Sequence, residues 1–231
     1  MGWINCRGDG RSMRVILFGG SGMVGQGVLR ECLLDPEVTA IVSIVRSTSG
    51  QQHQKLREII HRDFFDFSCL ESELAGFDAC FYCLGVSSAG MSEEKYRRVT
   101  YDIALAAAQT LVKLNPQITF IFVSGAGTDS SKRGRVMWAR VKGQTENALR
   151  RLPFKAAYMF RPGVIVPLHG IKSRTMLYRI PYLILGPILP LLKRLFPKYV
   201  TTTEKLGRAM LVAAKQGAPK TVLESADINN L

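Results

Sequence analysis

Acidic side chains are scarce in this 231-residue chain: 18 Asp and Glu stand against 31 Lys and Arg, a formal net charge of +13. The shortage is local. Residues 1–131 hold 14 acids against 12 bases, whereas residues 132–231 hold 4 against 19. The C-terminal part is therefore a basic surface that calls for an anion, and nucleotide phosphate, acidic lipid and nucleic acid are the candidates. No zinc-finger spacing, RNP motif or helix-turn-helix pattern accompanies the charge, which argues against nucleic acid. Histidine is rarer still. His53, His61 and His169 stand apart from one another and from any Cys or carboxylate spacing that a metal needs, so no metal site is expected.

Cysteines are few and odd in number. Cys6, Cys32, Cys69, Cys80 and Cys83 follow no secretory leader, which points to a reducing interior and a cytoplasmic location. Cys80 and Cys83 form a C-x-x-C, but in the apolar run DACFYCL they belong to opposite faces of a strand, as structural thiols. Long hydrophobic runs are missing too. The apolar stretch 176–196 is broken by Arg179, Pro181, Gly186, Pro187 and Pro190, short of the roughly 20 uninterrupted residues of a spanning helix. Residues 172–198, which also carry Lys172, Arg174, Lys193, Arg194 and Lys198, read three ways: contact with an anionic membrane surface, a cap on the cleft, or a homodimer interface.

What is plentiful is apolar material patterned for an α/β core: 47% of the residues are hydrophobic. Short β-rich runs at 14–18, 39–46, 56–62, 78–84, 118–124 and 155–160 alternate with helical patterns at 23–34, 93–114 and 136–152. Asp35-Pro36, Asn115-Pro116 and Pro153 stop those three helices, because a residue before proline is pushed out of the helical region. A last helix spans 203–216. The pattern predicts one doubly wound parallel α/β sheet over residues 13–231, in strand order 3-2-1-4-5-6, with a loose extension at 1–12 and a cap-like segment at 164–200.

The run VILFGGSGMVGQG sets Gly20, Gly22 and Gly25 in a G-x-G-x-x-G register, and Gly19, Gly22 and Gly25 in G-x-x-G-x-x-G, between the first strand and the first helix. Gly19, Gly20, Ser21, Gly22, Met23, Val24 and Gly25 thus form a turn that lets a pyrophosphate approach the backbone at a helix N-terminus. A site for NAD places an acid about twenty residues on, to accept from the ribose hydroxyls. Here Arg46 and Ser47 stand there instead, and a guanidinium suits a 2′-phosphate, so NADP(H) is the expected cofactor. Asp63 and Phe64 follow the third strand, at the adenine. Leu84, Gly85 and Val86 follow the fourth, where backbone passes close to the dinucleotide.

Together with YCLG (82–85), FVSGAG (122–127), RVKG (140–143) and RPGVIVP (161–167), these blocks resemble the short-chain dehydrogenase/reductase superfamily. The likeness covers about residues 13–215 and is to an atypical extended branch similar to the Tat-interacting-protein-like reductases. It implies a Rossmann protein that binds NADP(H), oxidoreductase-like or epimerase/dehydratase-like, acting on a small carbonyl or sugar-nucleotide-like substrate. It implies Lys142 as the ligand of the nicotinamide ribose and Ser124 as a substrate or cofactor contact. It also sets the backbone of Pro162, Gly163 and Val164 over the nicotinamide, with Arg161 anchoring that loop.

In that superfamily a Tyr four residues before the Lys gives the proton. Trp138 holds the place here, and an indole N–H cannot donate and recover a proton near neutral pH. Thr128, Ser130 and Ser131 stand as substitutes for the serine, and Tyr101 and Thr128 as alternative donors. The other reading is a non-catalytic, NADP(H)-sensing or regulatory protein.

Overall fold

The computed structural model of the chain describes residues 12–131, 133–171 and 199–231. It opens with β1 (Met13–Phe18), a tight glycine turn and α1 (Met23–Leu34), followed by β2 (Val38–Val45) and β3 (Leu56–Ile60). A short α2 (Glu71–Leu74) leads to β4 (Ala79–Tyr82). The helix read at 93–114 is one path in three parts: α3 (Glu93–Arg97), a π-helical stretch from Arg98 to Asp102, and α4 (Ile103–Leu114). Next come β5 (Thr119–Val123), α5 (Met137–Leu149) and β6 (Ala156–Arg161).

All strand pairs are parallel, and the main sheet is ordered β3-β2-β1-β4-β5-β6, as the alternation predicts, with one strand more. That seventh strand is β9 (Val222–Glu224), which pairs with β6 beyond α6 (Thr203–Gln216) and precedes α7 (Ser225–Asn230). The six-strand expectation is corrected here. Three residues carry too little period-2 pattern to announce a strand, and pairing with Met159–Arg161 supplies the conformation instead. The fold is a Rossmann-like α/β sheet covered on both faces.

Alternation along each strand splits the core in two. Val15 and Leu17 join Val28 and Leu29 of α1 and Leu206 and Met210 of α6 on one face. Ile16 and Phe18 join Ala104 and Leu111 of α4 and Leu149 of α5 on the other. Cys80 packs in the second layer and Cys83 against the first, and burial raises both thiols far above their ordinary range. The C-x-x-C is a by-product of the pleat.

The ends of the cap-like segment 164–200 are joined: β7 (Val164–Val166) pairs with β8 (Val200–Thr202) as a small parallel sheet. Residues 172–198, with their membrane, cap and dimer readings, lie outside the described residues, as does the N-terminal extension apart from Ser12. No helix among the described residues is long and apolar enough to cross a membrane.

Candidate functional site

The chain runs outward from β1 to β3 and then returns to β4 on the opposite side of β1, so a crevice opens above the carboxyl ends of β1 and β4. An open cleft of about 780 Å³ lies there. Its floor is glycine backbone. Gly19 has φ +80°, and a Cβ on it would meet the backbone of Cys83 and Leu84 at 2.7 Å. A Cβ on Gly25 would sit 2.0 Å from the Gly19 carbonyl oxygen, which is why α1 can start directly beneath the turn. Gly22 caps α1 with no side-chain acceptor, and the first turn holds no acid. The leading N–H groups and positive dipole end of α1 therefore face the cleft without an internal counter-charge.

The opposite walls come from the ends of β4, β5 and β6. Leu84, Gly85 and Val86 line one side, Ser124 and Lys142 the far end, and Pro162 and Gly163 close it. Gly163 is held from behind: its N–H donates to Ser225 Oγ at 2.7 Å, and a Cβ would strike the Tyr199 carbonyl at 2.5 Å. The carbonyl of Pro162 accepts from Ala126 N–H at 2.9 Å, which ties this loop to the one after β5. Arg46 lies on the rim beyond β2, exposed, with no hydrogen bond or ion pair among the described residues.

Beneath the far end runs a buried polar network. Glu146, 1% exposed, accepts from Ser124 Oγ at 2.5 Å and from Arg161 Nε at 2.9 Å and Nη2 at 2.5 Å. Arg161 also donates to Ser130 Oγ at 2.6 Å and reaches Glu224 at 3.4 Å. Arg161, at the root of the 162–164 loop, is thus held chiefly by Glu146. Lys142, half-buried, donates to the Ser124 carbonyl oxygen. Burial pushes its ammonium down to about 8, against an upward pull from Glu146. The helix that carries it comes very close to the preceding loop, since a Cβ on Gly143 would lie 1.8 Å from the Asp129 carbonyl.

Of the residues singled out in the sequence, Gly19, Ser21, Gly22, Met23, Val24, Arg46, Leu84, Gly85, Val86, Ser124, Lys142, Pro162 and Gly163 converge on this cleft. Gly20 and Gly25 serve packing beneath it. Ser47 does not line it. Asp63 caps a turn, accepting from Phe65 N–H at 2.9 Å, and Phe64 is buried edge-on against Phe18 and Phe67. Val164 pairs with Val200 and points outward, 47% exposed, so Ile165 lines the cleft in its place. Position after a strand was readable there, and side-chain direction was not. Cys83, Ser87, Val123, Gly125 and Ala126 also line the cleft, at or just after the ends of β4 and β5.

The substitute hydroxyls are all committed elsewhere. Thr128 Oγ1 donates to the Gly125 carbonyl at 2.7 Å, Ser131 Oγ donates to Asp129 at 2.6 Å, and Ser130 is held by Arg161. Tyr101 stacks under Arg97, 4.4 Å from guanidinium to ring centre, on a separate cavity of about 260 Å³ with Gln144 and Arg151. Trp138, one turn before Lys142, leans on the glycine loop, with its Cη2 3.7 Å from where a Cβ on Gly127 would be.

A family model described as NAD dependent epimerase/dehydratase matches residues 15–131, half of the chain. The chain belongs to the NAD dependent epimerase/dehydratase family. Within it, "Protein fmp52, mitochondrial" of Emericella nidulans is 28% identical over 65% of this chain and 66% of its own length. "Protein HTATIP2" of Rattus norvegicus is 26% identical over 66% of this chain and 62% of its own, which sets the chain in the Tat-interacting-protein-like branch of the epimerase/dehydratase family. The chain thus spans just under two thirds of the lengths of these two relatives. Among solved structures, the enzyme WbmG of Bordetella bronchiseptica, in complex with NAD and UDP, superposes with a TM-score of 0.63 at 15% identity, over 91% of this chain and 71% of that one. The likeness to WbmG is one of fold.

The cleft residues fit the dinucleotide that the family's name carries. A side chain on Gly19 or Gly25 would collide with backbone, the first turn of α1 holds no acid, and Lys142 reaches into the far end with no carboxylate ion-pair partner among the described residues.

Proposed function

We propose that this chain binds a nicotinamide dinucleotide along the cleft, prefers NADP(H) to NAD(H), and acts as an oxidoreductase-like or epimerase/dehydratase-like protein on a small carbonyl or sugar-nucleotide-like substrate. The single observation that carries the cofactor preference is Arg46, a guanidinium with no partner among the described residues, on the rim of the same cleft as the glycine turn. Met23 and Val24 N–H groups would hold the pyrophosphate, Arg46 the 2′-phosphate, and Lys142 the nicotinamide ribose. A bound nicotinamide ring supplies or accepts hydride at its C4. Pro162 and Gly163 would give that ring a flat backbone wall, braced by Ser225 and Tyr199. WbmG was solved with NAD, so the preference for the phosphorylated form rests on this chain's own Arg46.

The test is calorimetric titration with NADPH and NADH. A charge-assisted pair to the 2′-phosphate contributes about 1.5–3 kcal/mol, so NADPH should bind about ten- to a hundredfold tighter. Arg46→Ala should remove most of that margin and leave NADH affinity unchanged. Equal affinities in the wild type would overturn the preference.

A further inference from the structure

We propose that Lys142 is itself the proton donor and acceptor of this cleft, in place of the absent phenol. The proposal rests on the dinucleotide reading above. Its first support is elimination among the described residues. Ser124 gives its hydroxyl hydrogen to Glu146, and Thr128, Ser130 and Ser131 are engaged as described. Tyr101 faces another cavity, and Arg46 at the rim does not release its proton. Ser21 and Ser87 remain, but aliphatic hydroxyls are far too weak as acids. Cys83 is kept as a thiol by burial.

The second support is geometry. Among the described residues Lys142 Nζ makes one hydrogen bond, to the Ser124 carbonyl, which leaves two of its three protons uncommitted there. Glu146, one turn further along α5, is the natural ion-pair partner, yet no ion pair forms. Its oxygens are taken by Arg161 from β6 and Ser124 from β5. The carboxylate of Asp129, in the loop against α5, is turned to Ser131 and the Gly134 N–H. An ion-paired lysine would hold its proton tightly. Among the described residues this one has no such partner, and its burial makes the proton transferable near neutral pH.

In the reducing direction a bound reduced nicotinamide would supply the hydride for the new C–H bond at the substrate's carbonyl carbon and would itself be oxidised as the carbonyl is reduced to the alcohol. As the C=O π pair moves to oxygen, Lys142 Nζ would give that oxygen its proton, and the neutral amine would recover a proton from water. In the oxidising direction the amine takes the alcohol proton.

Competitive trace labelling with acetic anhydride across about pH 6 to 11, followed at Lys142 by mass spectrometry with and without NADPH, tests the proton state directly. A midpoint near 8 is expected. A midpoint at the ordinary lysine value of about 10 overturns the proposal. Lys142→Arg keeps the charge and the donors but cannot release a proton. It should keep NADPH affinity within about tenfold while reduction of a panel of aldehydes and ketones falls about a hundredfold or more. The wild-type rate should fall as pH rises through the same midpoint. Retained turnover in Lys142→Arg overturns the proposal, and so does a wild type that reduces no member of the panel. A wild type that binds no NADPH sinks the dinucleotide reading and this proposal together; NADPH binding with a midpoint near 10 sinks this proposal alone.

Discussion

Glu146 shows how one residue can govern the cleft without lining it. It is buried, it neutralises Arg161, and it fixes the Ser124 hydroxyl, so Ser124 presents its carbonyl rather than its side chain to Lys142. Glu146→Ala would leave Arg161, 13% exposed, without its main counter-charge. Breaking one side of a buried pair costs about 3–5 kcal/mol, so thermal unfolding of this variant should shift downward by several degrees. Adding Arg161→Met should then cost little more, because the stranded charge is gone; a fully additive second loss would contradict the pairing. Sequence reading found Arg161 and Lys142 from their blocks, and the structure places Lys142 at the far end of the cleft and Arg161 in the network beneath it. It missed Glu146, since nothing in VKGQTENAL marks which of its polar side chains turns inward. Asp63 and Phe64 stay out of the cleft lining for the same reason: spacing locates a residue after a strand, while packing decides where it points.

The element that defines the cleft is the turn between β1 and α1. Its glycines do different jobs, and their substitution should separate accordingly. Gly25→Ala drives a methyl into the Gly19 carbonyl, 2.0 Å from the ideal Cβ, and should cost about 1–3 kcal/mol of stability along with most NADPH affinity. At Gly22 the nearest atom is 3.4 Å away and φ is −81°, so Gly22→Ala should cost well under 1 kcal/mol. Chemical denaturation of the two variants checks the contrast, and equal losses would contradict it. This turn was legible because a short apolar run, VILF, leads into its glycines and a helical pattern follows them. The strand β9 was not, since three residues take their conformation from β6. The π-helical stretch between α3 and α4 was hidden as well, because its apolar spacing still reads as one helix over 93–114.

At the scale of the whole molecule, the sheet brings residues from five strand ends, spread from Gly19 to Ile165, into one crevice whose walls are mostly backbone. That explains why the fold was readable from alternation alone while the substrate was not: backbone walls carry little chemical identity. The charged groups at its two ends, Arg46 and Lys142, are what distinguish this cleft. The most direct measurement of the account is a crystal structure grown with NADPH. The account predicts the pyrophosphate over the N–H groups of Met23 and Val24, the 2′-phosphate within hydrogen-bond reach of Arg46, and Lys142 Nζ on the nicotinamide ribose. A dinucleotide found outside this cleft, or one whose 2′-phosphate turns away from Arg46, would contradict it.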